Sequence, residues 1–201
     1  MPRGTATGVN ADGTVVVGGS SGQGAFRWVN GTLSGLGFLP GGNFSEARGV
    51  NADGTVVVGV GTIGIVPQAF RWVNGTMTGL GFLPGGNFSE ARGVNADGTV
   101  VVGQARDASG ANQAFRWTAE TRVQSVLTLL QAAKVVFMAG WQLRSANGVS
   151  ADGMVITGEG VDPLGHPQGW IARLPKESNE DCEEDEDNQG DTDNQGEDFG
   201  Q

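Results

Sequence analysis

Residues 25–59 return at 69–103 with only two changes, Leu33 to Met77 and Ser34 to Thr78, so the chain is a tandem repeat with a period of 44 residues. A unit of that size cannot bury an apolar face alone. Its copies must stack, and the core must lie between them. Two degenerate copies frame the matched pair. The motif Gly-Val-x-Ala-Asp-Gly-x-Val-(Val/Ile)-x-Gly starts at Gly8, Gly49, Gly93 and Gly148, at spacings of 41, 44 and 55 residues. Each is followed by an aromatic element: Ala25-Phe26-Arg27-Trp28, Ala69-Phe70-Arg71-Trp72, Ala114-Phe115-Arg116-Trp117 and the weaker Gly169-Trp170-Ile171-Ala172. Four units therefore fill residues 4–175, and residues 1–176 form one domain.

The apolar runs within a unit are short, β-branched and bounded by turn residues, which reads as strands. In the second unit these are Ala47–Val50, Thr55–Gly59, Ala69–Val73 and Thr76–Phe82. Ala52-Asp53-Gly54 closes the first hairpin and Asn74-Gly75 the last, with Gly54 supplying a positive φ. Leu83-Pro84-Gly85-Gly86-Asn87 then breaks the pattern. Four antiparallel strands in about 44 residues match one blade of a β-propeller, so the expected fold is an all-β, propeller-like array of four four-stranded units. A parallel β-helix (solenoid) is the alternative, and the repeated Asn-Gly and Asp-Gly reversals weigh against it. Val56-Val57-Val58 is apolar on both faces, as befits a strand sandwiched between neighbouring sheets. Phe70 and Trp72 share one face by period two, with Arg71 on the other. The aromatics are expected to form the core between blades. By strand count the successive units carry four, four, three or four, and three strands.

The longest spacing has a different texture. Val123, Val126, Leu127 and Leu130 fall at helical intervals, predicting one short amphipathic helix near 122–134 that replaces or extends the fourth strand and caps the array.

The formal charge of −10 is unevenly placed. Residues 177–201 hold 12 acids and no base, which leaves residues 1–176 with 12 bases against 10 acids. That near-neutral body has single, regularly spaced arginines rather than a phosphate-tracking cluster, so nucleic acid is not an expected partner. No apolar run reaches about 18 residues, so no membrane span is expected. Met1-Pro2-Arg3-Gly4 carries no apolar signal-like segment. Residues 177–201 read as an acidic disordered tail containing the one cysteine, Cys182. Its doubled Asp185–Gly190 and Asp191–Gly196 pattern resembles only the first half of a calcium loop.

The search for chemistry is brief. His166 sits in the turn Pro163-Leu164-Gly165-His166-Pro167, with no second histidine and no body cysteine to pair with. No nucleophile elbow, phosphate loop or zinc motif occurs. The expectation is a non-enzymatic protein with no catalytic residues, no cofactor and no metal site. The Asn-Ala-Asp-Gly turns at 10–13, 51–54 and 95–98 each offer one carboxylate, well short of the oxygens calcium requires. Glu46 and Glu90, recurring with Arg27 and Arg71, read as structural pairs or solvated groups. Trp28, Trp72, Trp117, Trp141 and Trp170 read as core, with sugar stacking the competing role.

Units built as (Ser/Ala)-x-Ala-x-Gly-Val-Asn-Ala-Asp-Gly-x-Val-Val-Val-Gly, then Ala-Phe-x-Trp, Asn-Gly and Leu-Gly-x-Leu-Pro-Gly-Gly, resemble the HAF-repeat family of extracellular bacterial proteins. The stretches Leu129-Leu130, Gly140-Trp141, Ala146–Gly153 and Trp170–Pro175 resemble that family's closing unit. Gly24, Gln68 and Gln113 stand where the family usually has histidine before Ala-Phe. The resemblance implies a secreted or surface-exposed β-repeat protein with no established activity, and the reading taken is a scaffold or interaction module whose ligand, protein or glycan, the sequence does not identify. A carbohydrate-binding, lectin-like propeller is the alternative. A last unit short of one strand leaves unpaired edges, and self-association through them is expected.

Overall fold

The computed structural model describes residues 4–135 and 139–175. The acidic segment 177–201, with the disorder and calcium-loop readings attached to it, lies outside the described residues.

Four separate antiparallel sheets follow one another along the chain. The first holds β1 (Gly4–Val9), β2 (Val15–Ser20), β3 (Gly24–Val29) and β4 (Thr32–Gly37). The second holds β5 (Ser45–Val50), β6 (Val56–Ile63), β7 (Val66–Val73) and β8 (Thr76–Gly81). The third holds β9 (Ser89–Val94), β10 (Val101–Arg106), β11 (Asn112–Thr118) and β12 (Arg122–Ser125). The fourth holds β13 (Gln142–Val149), β14 (Val155–Val161) and β15 (Pro167–Arg173), so among the described residues β15 has no outer partner. Each sheet is a simple meander, which rules out the parallel solenoid. Among the described residues the strand count of four, four, four and three agrees with the sequence.

Turn chemistry places these strands. Asn74 and Gly75 both have positive φ, 49° and 84°, the geometry that lets a two-residue hairpin follow the twist of β7 and β8. Gly54 at φ 76° closes the β5–β6 turn. β6 and β7 run further than expected, pairing out to Ile63 and Val66, because Thr62, Ile63 and Val66 suit a strand.

One irregularity recurs in every innermost strand. The pairing with the next strand slips between Ala6 and Gly8, Ala47 and Gly49, Ala91 and Gly93, and Ala146 and Gly148. Thr7, Arg48, Arg92 and Asn147 are thus bulge residues at one equivalent position. The bulge is matched by a glycine on the second strand. A Cβ on Gly59 would lie 2.0 Å from the Glu46 carbonyl oxygen, and Gly18 and Gly103 are closed off in the same way. Phe26, Phe70, Phe115 and Trp170 stand directly across from Gly18, Gly59, Gly103 and Gly158, and the rings of Phe26, Phe115 and Trp170 lie against their glycines.

The core lies between sheets, as the repeat demands. Val15, Val17, Ala25 and Leu36 of the first blade pack on Val57, Phe70, Trp72 and Met77 of the second. Val56, Val58, Ala69 and Leu80 of the second pack on Val101, Phe115, Trp117 and Val123 of the third. Val100, Val102 and Ala114 of the third meet Ile156, Trp170 and Ala172 of the fourth. Each blade therefore turns its aromatic face backward and its Val-x-Val face forward. The inserted helix α1 (Val126–Ala132) extends the fourth strand of the third blade and caps the third junction through Val126 and Leu130. Val123, expected in that helix, belongs to β12, where it pairs with Trp117 across the sheet. Cross-strand burial outweighs the helical spacing there.

Candidate interaction surfaces

The Asn-Ala-Asp-Gly turns form a ladder between blades. The Ala11 amide donates to the Ala52 carbonyl, Ala52 to Ala96, and Ala96 to Ala151, each at 3.2 Å. Asparagine side chains reinforce it. Asn51 accepts the Val56 amide at 2.8 Å and donates its own Nδ2 to the Ala96 carbonyl at 3.3 Å, and Asn10 makes the equivalent pair of bonds. Asp12, Asp53 and Asp97 each accept from the hydroxyl and amide of the threonine two residues on. Those threonine hydroxyls, more than any other group, hold the three carboxyls below the usual aspartate range. The turn carboxylates are thus engaged within their own turns.

Arg27 and Arg71 complete the joint. Their Nε atoms donate to the Gly54 and Gly98 carbonyls of the following blade, at 2.9 and 3.0 Å. Of the two readings of Glu46 and Glu90, structural pairs or solvated groups, pairing with Arg27 and Arg71 does not occur. The chain turns them forward onto the next unit's turn, whereas Glu46 and Glu90 lie on the innermost strands. Glu90 instead meets Arg48 at 3.1 Å and Arg92 at 3.7 Å. Arg92 also donates to Asn147 Oδ1 at 2.8 Å and Gln104 Oε1 at 3.0 Å. The bulge residues Thr7, Arg48 and Arg92 with Glu90 thereby line a small open groove along the axis around which β1, β5, β9 and β13 pack side by side. The sequence offered one sign of this row, an arginine recurring before Gly-Val at 48 and 92. The bulge that gathers it is a property of pairing and is invisible in one strand.

A larger cavity of about 800 Å³ lies beside the third blade and α1, lined by Arg116, Glu120, Asp152, Leu129, Met154 and Leu174 among others. His166 occupies the β14–β15 turn, as expected. Its amide and Nδ1 both meet the Asp162 carboxylate, at 2.8 and 3.3 Å. The backbone amide of His166 is the main cause of the lowered Asp162 pKa. Among the described residues no three His, Cys, Asp or Glu side chains gather as metal ligands would.

The tryptophans divide by position in the array. Trp117 is buried, and Trp72, Trp141 and Trp170 are half-buried against the interblade clusters. Trp28 is 36% exposed because no described residue packs behind the first blade. Much of that backward face is likewise open, although Phe26 is buried against Gly4 and Gly18 of its own sheet. Ala6 is exposed where Ala47, Ala91 and Ala146 are buried, and Val9 is 59% and Leu33 41% exposed. Gly13 is exposed where Gly54, Gly98 and Gly153 are buried beneath Val15, Val56 and Val100. On the opposite end the fourth blade leaves Thr157, Gly169 and Ile171 open. Packing is extensive from first to second, second to third and third to fourth blade. No comparable packing joins the fourth to the first among the described residues.

No helix among the described residues is long and apolar enough to cross a membrane. No protein-family model matches the chain, and no curated protein matches it in sequence. Solved structures do match in fold. A protein from Agrobacterium tumefaciens described as a "putative TolB" aligns with TM-score 0.59 at 14% identity, over 86% of this chain and 58% of its own length. TolB from Acinetobacter baumannii aligns with TM-score 0.57 at 14% identity, over 86% of this chain and 41% of its own. The chain thus spans about half the length of these structures, and what it shares with them is the β-propeller architecture.

Proposed function

We propose that this protein is a non-enzymatic β-repeat scaffold of the extracellular or cell-surface kind, related to the HAF-repeat proteins, that works by protein contacts, including contacts with copies of itself. One observation carries the reading. The recurrent polar residues are committed to joints between blades, while an apolar face identical in kind to the buried ones stands open on the first blade. A surface of that composition is a protein-binding surface. The half-buried indoles weigh against a lectin, since a sugar platform needs an open ring face.

The test is the mass of the full chain by light scattering across the micromolar range. Self-association predicts a mass above that of one 20.7 kDa chain that falls on dilution. A single-chain mass at every concentration refutes that part of the reading. A glycan array addresses the rival. Specific sugar binding lost in Trp28→Ala would replace the scaffold reading with the lectin.

A further inference from the structure

We infer that the open backward face of the first blade is the receptor for the open forward face of the fourth blade of a second copy, so that copies join head to tail. This rests on the self-association proposed above and specifies its surface and direction.

The first half of the argument is the occupant seen inside the molecule. At every internal junction the backward face is covered by a blade of the same repeat, through valines of its second strand, a small residue on its third and the turn ladder. The first blade repeats the backward chemistry of the second almost residue for residue. Ala6, Val9, Val16, Phe26, Trp28 and Leu33 correspond to Ala47, Val50, Val57, Phe70, Trp72 and Met77. What that face fits is therefore another forward face.

The second half is direction. Each ladder bond runs from the alanine amide of one blade to the alanine carbonyl of the next, so among the described blades the first has a carbonyl and the fourth an amide outside the ladder. Among the described residues the Ala11 carbonyl receives no such bond, and the Ala151 amide gives none. Val155, at the position of Val15, Val56 and Val100, is the residue that would sit over Gly13, as its counterparts sit over Gly54, Gly98 and Gly153. Ile171 is 63% exposed on this end, an apolar residue where a solvated cap would be polar. Donor matches acceptor, and valine matches uncovered glycine. Two copies meeting through their first blades would instead oppose like groups of the ladder.

The junction between copies is weaker than the internal ones for a visible reason. Ser150 stands where Asn10, Asn51 and Asn95 supply the side-chain donor, and Ile171 stands where Arg27 and Arg71 supply the guanidinium. Reversible assembly follows from these two losses.

The experiment uses the full chain. Val9→Glu spoils the head and Ile171→Glu spoils the tail, both at exposed positions where folding is little affected. Each should weaken self-association by at least about tenfold. Mixed in equal amounts, the two should form a one-to-one dimer and nothing larger, because one sound head then meets one sound tail. The double variant Ser150→Asn, Ile171→Arg restores the internal clamp and should tighten association by about tenfold. If the unaltered chain associates but Ile171→Glu leaves it unchanged, or the mixture stays unpaired, the head-to-tail inference fails and the self-associating scaffold stands. If the unaltered chain is a single-chain species at every concentration, both fail together.

Discussion

Asn51 shows how much a single side chain contributes to this array. It is 2% exposed and serves as acceptor for its own blade and donor to the next. Asn51→Ala leaves the Val56 amide without its partner and the Ala96 carbonyl with the Ala52 amide alone, and should lower stability by about 2 kcal/mol in denaturant titration. Asn10→Ala, making the same bonds at the end of the array, should cost less. The two equivalent tryptophans give a sharper contrast. Trp72→Ala should cost about 2–4 kcal/mol, while Trp28→Ala in dilute solution should cost under about 1 kcal/mol. Equal losses would mean that the first blade's face is covered in the isolated chain. The turn aspartates set a pH dependence. Hydrogen bonds from Thr14, Thr55 and Thr99 lower Asp12, Asp53 and Asp97 from 3.8, so the folded state binds their protons less tightly than the unfolded one. Their stabilisation is present above about pH 4 and is lost as pH falls through the lowered values. Thermal melts between pH 7 and 3 should show this loss, and it should shrink when all three are replaced by asparagine.

At the scale of strands and blades, much was legible because turn residues and alternation are local. Asn74-Gly75, Gly54 and the Phe70/Trp72 face all follow from a few neighbouring residues, and the structure agrees with each. The failures are non-local. Arg71 alternates away from Phe70 as read, but its acceptor, the Gly98 carbonyl, is supplied by another blade 27 residues on. The Glu90–Arg48 contact depends on bulges that exist only once strands pair. Val123 kept a helical interval in sequence yet joined a strand because Trp117 lies across from it. The recurrent glycine across from each aromatic residue is the element most exposed to mutation. Gly59→Ala places a methyl against the Glu46 carbonyl and should cost about 3 kcal/mol or more, with no change in β content by circular dichroism until unfolding begins. Gly64→Ala, in an open turn with space around it, carries only the backbone strain of a positive φ and should cost less.

For the whole molecule, stability should behave as a chain of nearest-neighbour joints, because each blade's packing is with the blades before and after it. The joint between the first and second blades and that between the second and third repeat the same contacts, down to the Arg27 and Arg71 bonds. Removing residues 48–91 joins Ala47 to Arg92 and recreates the original sequence across the seam. The shortened chain should fold as three blades, with lower stability but the same cooperative melt. An aggregate in its place would show that four blades form one indivisible unit. The same property bears on inheritance. Two adjoining stretches of coding sequence this alike invite slippage during replication, and a joint that accepts any identical neighbour lets the products fold, so the number of blades can drift between lineages while the joint stays fixed.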